Sequence, residues 1–206
     1  MTPATDDPVW YLAYGSNMAA DRFSCYLTGG RPPGALRRYD GCRDRTPPAE
    51  DVGVHLPGRL RFGGASSVWG GALAFYDRSA PGSLAGRAYL ISFGQFSDVV
   101  AQEARRPVAH DLEPTTDDTW RAASSVYESV VRVGERDGVP ILSFTSARAH
   151  EAAPPSAAYL RTILRGLTQT FGWSPDVSAD YLMQAPGVAP TWTSASLVRL
   201  AEASGG

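Results

Sequence analysis

The chain predicts an α+β fold, with an antiparallel sheet or barrel packed by helices, on three observations. Apolar runs at Val52 to Phe62, Trp69 to Tyr76 and Leu84 to Ser92 are broken at Gly63-Gly64 and Pro81-Gly82, the pattern of successive strands joined by tight turns. Other stretches repeat apolar residues at i, i+3 and i+4, as amphipathic helices do. Near the N-terminus, the aromatic run Val9 to Tyr14 stops at Gly15, and Ser16-Asn17 follows where a helix can begin.

That first junction is a strand-to-helix turn. Gly15 lets the main chain approach a ligand closely, and Ser16 or Asn17 is placed to cap the next helix. Successive N–H groups at such a turn form a hollow suited to a carboxylate or an oxyanion. A plain structural turn explains the residues as well. Ala19, Ala20, Phe23, Tyr26 and Leu27 then recur at helical spacing, and Gly29-Gly30 with Pro32-Pro33 ends the helix. Residues 31–51 read as a long loop with Leu36, Tyr39 and Cys42 as anchors and one short strand at most.

After the three strands, Ser92 and Gln95 have capping-box spacing and open a helix with Phe96, Val99, Val100 and Glu103 at i, i+3, i+4 and i+7. Glu103 thus shares a face with residues destined for the core. A carboxyl group in apolar surroundings is pushed toward neutrality, the range a general acid/base needs. The alternative, a helix-end glutamate turned to solvent or paired with Arg105 or Arg106, stays open on this segment alone. Residues 105–123, with Pro107, Pro114 and Asp117-Asp118, read as an irregular loop or lid. Ser125 to Gly134 and Val139 to Ala147 are strands joined through Arg136-Asp137-Gly138, where Asp-Gly signals a hairpin. Pro154-Pro155-Ser156 starts an amphipathic helix through Phe171 that Gly172 stops. Ser174-Pro175 caps a short helix, Thr193 to Ala203 forms a last one, and Ser204-Gly205-Gly206 is expected to fray.

The 206 residues suit one large domain or two small ones, and without an internal repeat or an interdomain linker a single domain over 1–206 is expected. A formal net charge of −2 gives no pull toward nucleic acid or membrane. All 19 basic residues are arginine, and with the Ala, Gly and Pro content this reads as the coding bias of a GC-rich bacterial genome. The arginines of residues 31–51 lack the interleaved aromatics of an RNA-binding segment, so a solvated loop is the better reading. Cys25 and Cys42 read as reduced thiols, with too few ligands for a zinc site. No apolar run is long enough to span a bilayer, and Asp6-Asp7 replaces the basic start of a signal peptide, so a cytoplasmic protein is expected.

Four ordered stretches together resemble the γ-glutamylcyclotransferases. They are Tyr14-Gly15-Ser16-Asn17 after a strand, Gln102-Glu103 at the end of a helix following three strands, Val126-Tyr127 ahead of Val130-Val131-Arg132-Val133, and Glu151 to Ser156 with Tyr159. The YGSN form is similar to one branch of that family rather than to YGSL-type relatives that act on glutathione. The resemblance implies a small mixed β-barrel flanked by helices, with the signature loop and Glu103 facing one cavity.

It also implies a reaction in which the α-amine of a γ-glutamyl amide attacks its own γ-carbonyl. The products are 5-oxoproline and a free amine or amino acid. Glu103 is then the general acid/base, and Tyr14, Gly15, Ser16, Asn17 and Tyr127 bind substrate, with Tyr14 as a wall and Tyr127 either a polar contact or a core tyrosine. No metal, cofactor or covalent nucleophile is implied, and the protein is expected as a monomer or homodimer whose partner is a small γ-glutamyl molecule. Residues 31–51 and 105–123 look long for the family and leave the leaving group open among an amino acid, an amine and a γ-glutamyl-protected bacterial metabolite. Serine hydrolysis through Ser16 lacks a G-x-S-x-G elbow and a triad pattern among His55, His110 and His150. The rival from another class is a non-catalytic binding protein that keeps the fold.

Overall fold

The computed structural model describes residues 3–32, 37–66, 69–116, 119–121, 126–148 and 150–203. Leu36, Asp117-Asp118, the Ser125 start of a strand and the Ser204-Gly205-Gly206 tail lie outside the described residues. The chain is α+β, as the sequence predicts, with five α-helices and two sheets among the described residues.

Strand β1 (Pro8–Ala13) is buried from Val9 onward because it lies in the interior of the large sheet. It pairs antiparallel with β5 (Ser83–Ser92), from Pro8 opposite Ser92 to Ala13 opposite Arg87, and parallel with β9 (Val139–Thr145). A strand covered on both faces needs a continuous apolar run, which Val9-Trp10-Tyr11-Leu12-Ala13 supplies. With β2 (Glu50–Pro57), β6 (Pro114–Thr116), β7 (Thr119–Arg121) and β8 (Ser129–Arg136), the seven-stranded order is β2-β5-β1-β9-β8-β7-β6. The order is open, with β2 and β6 at its edges, so the mixed sheet does not close into the expected barrel.

A separate ribbon pairs β3 (Arg59–Gly63) with β4 (Leu73–Asp77). The expected single strand from Val52 to Phe62 is therefore two strands in different sheets. The break is Gly58, at φ 112°, where a Cβ would stand 2.6 Å from the Asp77 carbonyl oxygen. Part of the segment expected to be an irregular lid is also ordered: β6 and β7 pair with each other, and β7 pairs with β8. Trp120 anchors it, buried with its ring 6.0 Å from that of Phe93. The β8–β9 hairpin turns through Asp137 (φ 53°) and Gly138 (φ 77°), as Asp-Gly predicts.

Helix α1 (Ala20–Thr28) follows a 3₁₀ turn (Ser16–Met18), and its N-cap is Ala19, with no side-chain cap bond. Ser16 and Asn17 thus do not cap it, because the intervening turn carries both side chains into other contacts. Helix α2 (Phe93–Glu103) begins with the expected capping box: Ser92 accepts from the Gln95 N–H, and Gln95 returns a bond to the Ser92 N–H. Its last turn is tied to α1 by buried Gln102, which donates to the Tyr26 carbonyl (2.9 Å) and accepts from the Gly41 N–H (3.2 Å).

Helix α3 (Ala157–Phe171) is capped by Ser156 and stopped by Gly172 in the left-handed region; α4 (Pro175–Met183) and α5 (Ser194–Glu202) complete the chain. Gly166 of α3 lies flush against the 3₁₀ turn, where a Cβ would meet the Met18 Cβ at 2.6 Å. Among the described residues no helix is long and apolar enough to cross a membrane.

Candidate functional site

Strand β1 delivers the Tyr14 to Asn17 turn to the same place where α2 delivers its last residue, Glu103. Two adjoining cavities meet there. The larger, about 260 Å³, is lined by Ser16, Glu103, Tyr127 and Tyr159 with Arg22, Arg37, Tyr39, Trp69 and Arg105 among others. The smaller, about 30 Å³, shares Ser16, Glu103, Tyr127 and Tyr159 and adds Tyr11, Tyr14, Gly15 and Asn17. Arg37, Tyr39 and Arg105 come from the two long loops, so both loops border the larger cavity.

The Glu103 carboxylate is held by one oxygen. Tyr26 donates its hydroxyl to Oε1, and Asn17 Nδ2 donates to the same atom at 3.3 Å. Among the described residues Oε2 has no hydrogen-bond donor. The half-buried carboxylate therefore turns inward to these donors rather than making an ion pair with Arg105 or Arg106.

Asn17 also donates to the Tyr11 hydroxyl (3.0 Å), while its main-chain oxygen accepts from Tyr89 (2.9 Å). The loop's own geometry leaves donors over. Among the described residues no hydrogen bond takes up the main-chain N–H of Gly15, Ser16 or Asn17. Gly15 has a negative φ of −112°, so handedness does not require glycine there; a Cβ would stand 3.1 Å from the Tyr159 hydroxyl, a tight contact that Tyr159 would have to ease by a small shift.

Tyr14 and Tyr127 are in place but their hydroxyls serve the frame. Tyr14 donates to the Phe144 carbonyl (2.7 Å) and Tyr127 to the Ala74 carbonyl (3.1 Å), so both present mainly ring surface. Burial pushes the Tyr26, Tyr11 and Tyr127 phenols well above their usual range, and the Glu103 charge adds to this. Burial likewise brings Tyr159 up to about 12, against the opposing Ala74 N–H. These hydroxyls stay protonated at neutral pH, which is why Tyr26 acts as a donor to Glu103.

Arg22, Tyr26 and Tyr39 join the site although none belongs to the sequence motifs that mark it. Arg22 is 3% exposed and donates from Nε to Ser16 Oγ (2.7 Å) and from Nη2 to the hydroxyls of Tyr39 (2.9 Å) and Tyr26 (3.3 Å). Its guanidinium lies 4.8 Å from the centre of the Trp69 ring. Burial disfavours its charge, but Tyr26, Tyr39 and Glu103 outweigh that and hold it firmly cationic. The available signal was spacing: Met18, Arg22 and Tyr26 are four residues apart, which puts an arginine on a buried helix face.

Other nucleophile chemistry finds little here. Burial brings the Cys42 thiol up to about 12 and raises that of Cys25, the direction that silences a thiol. None of the three histidines lines either cavity. Among the described residues, no group of three or more His, Cys, Asp or Glu side chains is placed to hold a metal ion.

An open mixed sheet whose interior strand β1 feeds a Gly-Ser-Asn turn, with a glutamate at the end of the helix that follows β5, has the architecture of a γ-glutamyl cyclotransferase-like fold. Solved structures agree. A γ-glutamyl cyclotransferase is matched at a TM-score of 0.54 and 16% identity, over 94% of this chain and 99% of that one. An uncharacterized protein from Homo sapiens gives 0.56 at 20% identity over 95% and 98%. YkqA from Bacillus subtilis gives 0.52 at 20% identity, over 86% of this chain and 54% of that one. No protein-family model matches the chain.

In sequence, the chain is 33% identical over 203 residues to a protein named Histone deacetylase 5 from Arabidopsis thaliana, covering 86% of this chain. It spans about 30% of the length of that curated relative, and the relative's name describes the longer protein.

Proposed function

We propose that this protein is a γ-glutamyl cyclotransferase-type enzyme that releases 5-oxoproline from a γ-glutamyl amide. The observation that carries the reading is the pairing, across shared cavities, of the Glu103 carboxylate with a turn whose N–H groups at Gly15, Ser16 and Asn17 have no protein acceptor among the described residues. The fold shared with a γ-glutamyl cyclotransferase supports it.

In this reading Glu103 takes a proton from the substrate's α-ammonium group. The freed amine attacks the γ-carbonyl carbon, forming the C–N bond of a five-membered lactam, and the negative charge that develops on the carbonyl oxygen meets the turn's N–H groups. Glu103 then gives that proton to the amide nitrogen as the original C–N bond breaks, and the remaining extra proton of the ring nitrogen passes by the same carboxylate to the released amine, which departs as an ammonium ion; no water is consumed and no covalent enzyme intermediate forms. Tyr14, Tyr127 and Tyr159 wall the site and favour the curled substrate. Holding an intramolecular reaction in its near-attack form is worth roughly 7–11 kcal/mol.

The test is release of 5-oxoproline from a panel of γ-glutamyl amino acids and γ-glutamylamines. Glu103→Gln keeps the shape and removes the base, and it is expected to lower kcat by about 10²–10⁴-fold. An unimpaired Gln variant removes Glu103 from the mechanism. Failure of the wild type on the whole panel replaces catalysis with the binding-module reading.

A further inference from the structure

Arg22 is an expensive residue to place where it is. A guanidinium taken out of water is costly unless a carboxylate and full hydrogen bonding compensate it. Among the described residues no carboxylate lies within ion-pair distance of Arg22, and its Nη1 is buried without a hydrogen-bond partner. Its three acceptors are hydroxyl oxygens rather than carboxylates, on Ser16, Tyr26 and Tyr39. A leucine or methionine would fill the space beside Trp69 at lower cost, so packing alone does not explain the charge.

Two of the three hydroxyls belong to the candidate site. The Tyr26 hydroxyl that accepts from Arg22 Nη2 is the one that donates to Glu103 Oε1. The Ser16 hydroxyl that accepts from Arg22 Nε lies in the turn whose main-chain N–H groups are left over. The rigid fork of one guanidinium therefore spans the carboxylate's support and the turn. A cation behind Tyr26 polarises its O–H toward Glu103, strengthening that bond and keeping Oε1 engaged so that Oε2 faces the cavity.

We propose that Arg22 is a positioning residue: through the Tyr26 hydroxyl it fixes the Glu103 carboxylate, and through Ser16 it fixes the turn opposite. The inference rests on the cyclotransferase reading of the same site. Arg22 lines the larger cavity, but in this role it acts through Tyr26 and Ser16 rather than on the reacting atoms, so its loss is expected to fall on the chemical step more than on substrate affinity.

The test combines Arg22→Met, Arg22→Lys and Tyr26→Phe. Arg22→Met is expected to lower kcat for 5-oxoproline release by about 10- to 100-fold, the size of a small misplacement of a catalytic group, with KM little changed. Arg22→Lys keeps a cation but not the fork and recovers part of the loss. Because one of the two routes by which Arg22 acts runs through Tyr26, the loss in Arg22→Met/Tyr26→Phe is expected to be smaller than the product of the two single losses. If Arg22→Met does not fold, Arg22→Lys with Tyr26→Phe runs the same cycle. A raised KM at unchanged kcat, or losses that multiply, overturns the proposal.

A second measurement does not depend on activity. Crystal structures of the wild type and the folded Arg22 variant are expected to differ in the Tyr26–Glu103 contact or in the Ser16 turn. Superimposable Tyr26, Glu103, Asn17 and Ser16 overturn the positioning role even if no γ-glutamyl compound is turned over. A wild type that releases no 5-oxoproline while the variant's cluster does rearrange overturns the cyclotransferase reading and leaves the positioning role standing.

Discussion

Glu103 draws its support from side chains that look ordinary in the sequence. Asn17 is the clearest case: its Nδ2 bridges Glu103 Oε1 and the Tyr11 hydroxyl, and its side chain lies buried with Oδ1 unpartnered. Asn17→Ala removes both donations. It is expected to lower kcat by about 10- to 100-fold through a freed carboxylate, and stability by about 1 kcal/mol for the lost bonds. Steady-state kinetics beside a urea titration separate the two effects; equal fractional losses of folded protein and activity would make Asn17 structural only.

Of these residues the sequence carries some plainly. Gly15, Ser16 and Asn17 announce themselves as a turn after a strand, and Glu103 as a charge on an apolar helix face. Tyr26 reads only as a helix-spaced aromatic, because the partner that gives its hydroxyl a purpose is 77 residues away. Arg22 shows locally only its four-residue spacing to Tyr26, while the Tyr39 hydroxyl and the Trp69 ring that complete its surroundings come from elsewhere in the chain.

At the level of elements, local rules succeed wherever the deciding contact is itself local. Ser92 with Gln95 starts α2, Ser156 and Gly172 bound α3, and Asp137-Gly138 closes the β8–β9 hairpin. They fail where a partner from elsewhere decides. Gly58 divides β2 from β3 because the chain must pass the Asp77 carbonyl, and β6 and β7 exist because the edge of β8 offers hydrogen bonds to a polar segment. The contact of α3 with the 3₁₀ turn is likewise long-range and makes a prediction. A Cβ at Gly166 meets Met18 Cβ at 2.6 Å and the Ala19 nitrogen at 2.9 Å, both on the short link between the Ser16 turn and α1. Gly166→Ala is therefore expected to destabilise by about 1–3 kcal/mol as an overpacking change, despite the better helix propensity of alanine. It also displaces the turn, so kcat falls with it. A variant as stable and as active as the wild type would show that the turn moves freely.

The whole molecule raises the question of whether the ribbon and the C-terminal helices are a second unit beside the main sheet. We propose a single domain, on the ground that one cluster of buried apolar residues includes Val9 and Leu12 of β1, Leu60 and Phe62 of β3, Val99 of α2, Leu164 of α3, Leu182 of α4 and Leu197 of α5. Elements that share one core lose it together. We therefore expect one cooperative transition in urea. The five tryptophans make the measurement a fair one. Trp10 lies in β1, Trp120 in β7 and Trp69 over Arg22, while Trp173 and Trp192 flank α4. Trp192 is pinned to the Pro155 carbonyl at 2.9 Å ahead of α3. Fluorescence thus samples sheet, cavity and C-terminal helices at once, and far-ultraviolet circular dichroism reports backbone in all of them. Coincident midpoints and slopes are the expected result. Two separated transitions, or a fluorescence change that precedes the loss of helix signal, would divide the chain into units and place the Glu103 site at the boundary between them.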